Sequence, residues 1–280
     1  MRLTLEDIEV HFYKEPNIID RLSLDIDGDT LLLMQEGGGK SLLLRAICGL
    51  VQHSGLVFLD GCHLNLRDNL VSLVLEKPVL LEKKSVIKNI NFTQNVIKKH
   101  EKQTKNDEIL AKFDFFQYKY VKVKKLTLFQ KRVLCLIRAY IKGSKILFLD
   151  DIFKELKKEE IDDLKKYLSF FKDVLKVYTS SSTRDYRDLG LEVKYIKYGR
   201  LHDMLNRDLF LAKDCGEVCA TSVNKLSQCI DINLSTEDIE LLRNEVINED
   251  DICFEKKDGV CYVYDGQTGD LILTIILSNY

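Results

Sequence analysis

Two prolines, no tryptophan and no paired C-x-x-C stand out in a chain of 280 residues. The first two absences, set beside many lysines and isoleucines, read as genome bias and carry no chemistry. Eight cysteines are scattered at 48, 62, 135, 215, 219, 229, 253 and 261. With no signal peptide in front of them, the expectation is free thiols in a reducing compartment. Cys215, Cys219 and Cys229 fit no zinc spacing. No window reaches the roughly 18 apolar residues a membrane-crossing helix needs, so the chain is not expected to span a bilayer by itself. The formal net charge is −2, which gives no bulk reason to expect a nucleic-acid partner. The polar run Lys98 to Asp107 reads as a solvated helix end or loop rather than a binding patch. What is present, 45% hydrophobic and 31% charged residues, describes a soluble globular chain long enough for one large domain or two modest ones.

The most informative stretch is Leu31 to Ile47, LLLMQEGGGKSLLLRAI. Leu31 to Met34 is an apolar run that reads as a buried strand. Gly37, Gly38 and Gly39 then lead into Lys40 and Ser41, and an apolar helical pattern follows from Leu42. Strand, glycine-rich loop, Lys-Ser and helix is the P-loop arrangement. Backbone N–H groups cradle phosphates, the lysine reaches the outer ones and the hydroxyl holds Mg²⁺. The helix N-terminus adds the positive end of its dipole. Against G-x-x-x-x-G-K-[ST], the first glycine is missing, because that position is Met34. A glycine turn between an ordinary strand and helix is the competing reading of this fragment taken alone.

Upstream, residues 3 to 12 and Ile18 to Ile26 alternate as two antiparallel strands would, with Asp27-Gly28-Asp29 turning into the P-loop strand. Between them, Tyr13 either stacks an adenine or is a half-exposed strand aromatic. Downstream, GLVFLDG before Cys62 and NLVSLVL from Asn69 read as strands, and Ser85 to about Phe116 as polar helix. Leu126 to Arg138, LTLFQKRVLCLIR, is a strong helix ended by Gly143-Ser144. Lys145 to Asp151 then runs four apolar residues into two carboxylates. That is the form of a Walker B strand, whose terminal Asp150 emerges beside the P-loop to hold Mg²⁺ through water, while Asp151 would face an attacking water. A core strand ending in a surface Asp-Asp pair is the bland alternative, which the upstream P-loop disfavours. Glu155 to Phe171, Asp173 to Tyr178 and Leu191 to Leu201 read as helix, strand, and strand with turn.

In this order the elements resemble the nucleotide-binding subunit of an ABC transporter over roughly residues 1 to 205. Tyr13 falls where that family stacks adenine. Gly37, Gly39, Lys40 and Ser41 fall on Walker A, Glu76 on the Q-loop glutamine, and Leu126-Thr127-Leu128-Phe129-Gln130 on the LSGGQ signature. Arg138-Ala139 fits the pair that commonly follows the signature, Leu149-Asp150 fits Walker B, and Tyr198-Gly199-Arg200 resembles the glycine turn closing the domain. The resemblance implies an α/β fold: a P-loop NTPase with an ABC-type antiparallel β subdomain and a helical subdomain, plus a small C-terminal α+β region. It implies ATP and Mg²⁺ as ligands, with Tyr13, Gly37, Gly38, Gly39, Lys40, Ser41 and Leu42 at the nucleotide and Ser41 and Asp150 at the metal. Glu76 and Asp151 take the catalytic positions. The implied partners are a transmembrane permease subunit and a second nucleotide-binding domain, in a homo- or heterodimer, placing the chain in the cytoplasm or on the cytoplasmic face of a membrane.

The departures are chemical. Leu128 and Phe129 replace glycines whose backbone approaches a γ-phosphate in the facing subunit, an approach that only glycine permits. Asp151 is one methylene shorter than the family's glutamate, Ser180 stands at the switch histidine, Glu76 brings negative charge towards phosphates, and Lys157 replaces the D-loop aspartate. Together they imply binding without efficient hydrolysis, or else a non-catalytic ABC-like regulatory or scaffolding protein. A kinase or GTPase reading is weakened by LTLFQ directly before the Walker B strand. Residues 206 to 280 form a separate accessory segment. A strand-like stretch, Val218 to Ile232, precedes a helix starting near Ser235. Cys253 to Val263 and Asp270 to Leu277 then pair as a hairpin turning at Asp265 to Gly269.

Overall fold

The computed structural model describes residues 1–10, 18–34, 37–64, 70–97, 103–182, 184–197, 199–202, 219–221, 236–245, 252–257, 260–265 and 271–276. Two strands, β1 (Leu3–Val10) and β2 (Ile19–Ile26), pair antiparallel. With β4 (Ser54–Leu59) and β5 (Cys62–His63) they form a four-stranded antiparallel sheet in the order β2-β1-β4-β5. A second sheet contains β3 (Thr30–Met34), β6 (Val71–Val74), β7 (Ile146–Asp150), β8 (Leu175–Ser180), β9 (Glu192–Lys197) and β10 (Arg200–His202). Its order is β10-β9-β3-β8-β7-β6. All its pairings are parallel except β10 with β9.

Parallel strands covered on both faces read as unbroken apolar runs, and β3 and β7 are buried at every position. Their alternate residues serve two cores. Leu32 and Met34 of β3, with Ile146 and Phe148 of β7, pack against α1 (Lys40–Ile47) and the antiparallel sheet. Leu31, Leu147 and Leu149 face the opposite core, built from α2 (Val86–Val96), α3 (Gln103–Lys112), α4 (Leu128–Lys142) and α5 (Lys158–Leu168). The α1 helix is thus layered between the two sheets.

Two expectations need correction here. The polar stretch from Ser85 is two helices, and its middle is not wholly solvated: Gln94 of α2 and Asn106 of α3 are buried and exchange amide hydrogen bonds of 2.9 and 3.3 Å. Asp107 pairs with the buried Lys119 at 2.6 Å. A buried amide pair keeps its donors and acceptors satisfied, which is what allows such polar residues inside. The second correction is the start of α4. The helix begins at Leu128, not Leu126, because Thr127 is its N-cap. Thr127 Oγ1 accepts from Gln130 N at 3.2 Å and Gln130 Oε1 accepts from Thr127 N at 3.0 Å, a closed capping box.

The segment after 205 is described in parts. A helix, α6 (Thr236–Glu245), and four strands, β11 (Cys219–Thr221), β12 (Ile252–Lys257), β13 (Val260–Asp265) and β14 (Leu271–Ile276), are present, the strands forming an antiparallel sheet in sequence order. The expected single strand Cys253 to Val263 is therefore two. Lys257 pairs with Val260 across a two-residue connection, Asp258-Gly259, so the hairpin is one turn of a meander. Cys215, Cys229 and most of the expected strand Val218 to Ile232 lie outside the described residues. Among those described, no helix is long and apolar enough to cross a membrane.

Candidate functional site

The site gathers at the carboxyl ends of β3, β7 and β8. Gly39 precedes α1 with φ of +90°, and a Cβ there would meet Ile18 Cγ2 at 2.6 Å. Only glycine fits both the left-handed backbone and that close approach. Its carbonyl receives the first helical bond, from Leu43 N at 2.8 Å. Lys40 and Ser41 then project from the opening turn of α1. Ser41 Oγ donates to Asp150 Oδ2 at 2.6 Å across 109 residues of chain. Asp150, at the end of β7 and 1% exposed, also accepts from Thr179 Oγ1 of β8 at 2.9 Å. Thr179 is buried and fixes the carboxylate that faces Ser41.

Asp151 follows with φ of +41°, and its backbone N–H donates to Thr179 O at 3.0 Å. This left-handed conformation, one that aspartate tolerates better than most residues, turns the chain out of β7 and aims the carboxylate at the P-loop. Lys40 Nζ lies 3.5 Å from Asp151 Oδ2, with both side chains nearly buried. Burial raises the pKa of the Asp151 carboxyl above the usual carboxylate range, while Lys40 and a hydrogen bond from Ser180 pull it back.

A cleft of about 400 Å³ opens at this point, lined by Gly37, Gly39, Lys40, Ser41, Leu42, Arg45, Glu76, Asp151 and Lys154. The structure therefore brings together most of the expected residues, with Asp150 bonded beneath them through Ser41. Tyr13 and Tyr198 lie outside the described residues. Gly199 is described. It has φ of +72°, and a Cβ there would meet Ile18 O at 2.4 Å, so the glycine turn lies directly on the segment leading into β2. The hydroxyl of Ser41 and the carboxylate of Asp150 are hard oxygen donors of the kind Mg²⁺ takes, so the donor set suits that ion.

Phe129 at the start of α4 packs partly buried against the domain's own helical core. Its ring is thus anchored inward, a packing role the sequence did not reveal. Four further residues escaped sequence reasoning. Thr179 orients Asp150, Arg45 and Lys154 add cationic side chains to the cleft, and Arg132 of α4 is fully buried behind it. Arg132 donates from Nη1 to Lys154 O at 2.5 Å and from Nη2 to Glu76 O at 3.0 Å. One signal was available for Arg132: it sits four residues from both Leu128 and Leu136, on a helix face whose flanking positions are apolar.

A second cleft has a volume of about 500 Å³. It is lined mainly by apolar residues of β6, of α4 and of the segments that follow α1 and β6, with Thr93, Arg138 and Lys142. Arg138 donates to Thr93 Oγ1 at 2.8 Å and to Val79 O at 3.1 Å. Burial pushes the Cys48 and Cys135 thiols in its wall up to about 12, which keeps them protonated and unreactive at neutral pH.

A parallel sheet with a glycine loop, a Lys-Ser helix start and a carboxylate-ended neighbouring strand defines a P-loop nucleotide-binding domain. The comparisons narrow the class. The sequence model of the family described as "ABC transporter" matches residues 19–154. The sulfate/thiosulfate import ATP-binding protein of Synechococcus elongatus is 29% identical over 171 residues, covering 59% of this chain and 49% of that protein. The tyrosine transport ATP-binding protein of Clostridioides difficile is 34% identical over 159 residues, covering 50% and 63%. A bacterial Atm1-family ABC exporter with ATP bound shares the fold, with a TM-score of 0.61 at 16% identity over 72% of this chain and 38% of that one. Over this matched part the chain is similar to the ATP-binding domains of the ABC transporter family. It spans about half the length of the curated relatives it matches.

Proposed function

We propose that this chain binds MgATP in the cleft above β3 and β7 and couples nucleotide state to a separate transmembrane permease, with slow hydrolysis. The observation that carries the reading is the joined set Lys40–Asp151 and Ser41–Asp150–Thr179, which unites a phosphate-binding lysine with a magnesium-type donor pair at one glycine-loop helix. Lys40 and the loop amides hold phosphates, Ser41 and Asp150 hold the metal, and Tyr13 stacks the base. When bound, Mg²⁺ neutralises phosphate charge and orients the outer phosphates. Residues 1 to 205 act as this unit, and 206 to 280 as an accessory region.

Slow hydrolysis follows from the residues around the cleft. Asp151 is short, and its carboxylate faces Lys40, so it is poorly placed to hold a water. Ser180 supplies no cationic group, and Glu76 adds a negative charge. The permease is supported by the relatives' names, which speak of import and transport, and by the second, mainly apolar cleft. Leu50 and Val79 on its lining are 67% and 72% exposed, apolar surface that a partner could cover.

The rival reading, an ABC-like regulatory or scaffolding protein without turnover, draws on the same Lys40–Asp151 pair, which occupies the lysine that hydrolysis needs. A steady-state hydrolysis assay beside a MgATP titration separates the two. Saturable binding with slow turnover, raised by Asp151→Glu because the longer arm reaches the water's position, supports the ATPase. Binding with a rate that stays flat in Asp151→Glu moves the defect to the signature or Ser180, and binding with no turnover at all supports the scaffold.

A further inference from the structure

A third cavity, of about 780 Å³, lies at the end of the parallel sheet opposite the P-loop cleft. Its walls are the last turn of α4, the turn from Gly143 to Lys145 that enters β7, and residues 169 to 174 between α5 and β8. Lys112, the last residue of α3, completes them. The P-loop cleft stands at the carboxyl end of β7, so the 5 residues of that strand, roughly 17 Å, separate the two places. One side of the cavity is aromatic. The fully buried Phe113 meets Phe170 edge-on at 5.3 Å and Tyr140 edge-on at 5.5 Å, and Tyr140 meets Phe171 edge-on at 5.6 Å. These contacts fix the rings of Tyr140 and Phe170, which remain only partly buried and so present surface to the cavity.

The charge around these rings is of one sign. Lys112 Nζ lies 4.7 Å from the ring centre of Tyr140 and 4.8 Å from that of Phe170, and it donates to Tyr140 Oη at 2.9 Å. A phenol and two ring faces are neutral partners, and an ammonium has three donors, so Lys112 can meet an anion without giving up a contact. Lys145 and Lys172 add two exposed ammonium groups, and Asp173 is the one carboxylate of the lining. Among the described residues none of the three lysines forms an ion pair. Lysines near the ends of α4 and α5 also complement the helix dipoles. That role requires neither an open cavity nor rings fixed along its wall.

We propose that this cavity binds a small aromatic carboxylate. The ligand's ring packs against Tyr140 and Phe170, its carboxylate meets Lys112, and Lys145 and Lys172 raise the positive field at the mouth. The volume is in the range of small-molecule sites, about 300–1,000 Å³. No lining residue is shared with the P-loop cleft, so the proposal stands apart from the nucleotide reading.

The test is titration of the full chain with 2-naphthoate, followed by the probe's own fluorescence in a chain that has no tryptophan. Saturable binding is expected. Cyclohexanecarboxylate, an anion without an aromatic ring, and 2-naphthalenemethanol, a ring without the anion, should each compete at least about tenfold more weakly. Lys112→Gln should weaken 2-naphthoate about tenfold, the loss of one charge-assisted contact. Lys172→Glu, a charge reversal on an exposed turn, should weaken it about threefold with the urea unfolding midpoint unchanged, which keeps the test sound if Lys112→Gln disturbs the fold. No saturable binding, or an affinity that neither variant changes, overturns the proposal. Equal competition by all three compounds overturns it too, because the surface would then have no preference for an aromatic anion.

Discussion

On the proposed reading, the P-loop cleft and the start of α4 stand where an ABC domain meets phosphate, and their local chemistry differs. At the cleft the polar groups join one another around an opening: Ser41 on Asp150, Thr179 behind it, Lys40 in reach of Asp151. At α4 the chemistry has turned inward. Thr127 and Gln130 spend their polar atoms on each other, and Phe129 packs into the helical core. The first place opens into a cleft and the second closes on its own helix. The start of α4, with Leu128 and Phe129, is therefore held by a capping box and a core contact.

The largest effect that would break this contrast concerns association. In the family's head-to-tail dimer each nucleotide lies between one subunit's P-loop and the other's signature, so a homodimer of this chain places Leu128 and Phe129 at both nucleotides. Light scattering should find a monomer, or a dimer indifferent to MgATP. Leu128→Gly with Phe129→Gly should increase the MgATP-dependent dimer, despite a cost of about 1 kcal/mol for each glycine placed in a helix. A wild-type chain that dimerises strongly on MgATP would show that the start of α4 still serves phosphate.

A smaller effect sharpens the other half. Thr127→Ala removes the cap of α4 and should cost about 1 kcal/mol in urea unfolding, with MgATP affinity unchanged. A loss of affinity without a loss of stability would place Thr127 at the ligand rather than in the helix.

The smallest effect concerns Asp151. Its pKa is raised in the fold by burial. The folded state therefore holds that proton more tightly than the unfolded one, and the stability this gives is full below the unfolded value of 3.8 and is lost as pH rises through the raised folded value. Asp151→Asn cannot lose the proton-linked term. Its melting temperature relative to wild type should climb as pH rises above the unfolded value of 3.8. A difference that does not change with pH would mean that Lys40 fully offsets the burial of the carboxylate.

How much of this was legible depended on sequence distance. β3, the glycine loop, α1 and β7 announce themselves locally, through apolar runs ending in glycine or carboxylate, and the structure places them side by side. The capping box was legible too, as Thr127-x-x-Gln130, but the apolar pattern drew the helix two residues too far forward. In the accessory region the Asp-Gly pair at 258 and 259 is the stronger short hairpin signal, and β12 and β13 pair on either side of it, whereas the longer glycine turn at 265 to 269 points to one strand over Cys253 to Val263. The sequence marks Glu76, but not the contacts by which Arg132 joins it to Lys154. Arg132 bonds one carbonyl 56 residues away and another 22 away, and no local pattern encodes a side chain meeting distant backbone.

The most direct measurement is a calorimetric titration of MgATP into the wild-type chain beside Lys40→Ala. The wild type should bind saturably, and the variant at least about tenfold more weakly, since a charge-assisted phosphate contact is worth ~1.5–3 kcal/mol. Equal affinities in the two proteins would contradict the assignment of this cleft to nucleotide phosphates.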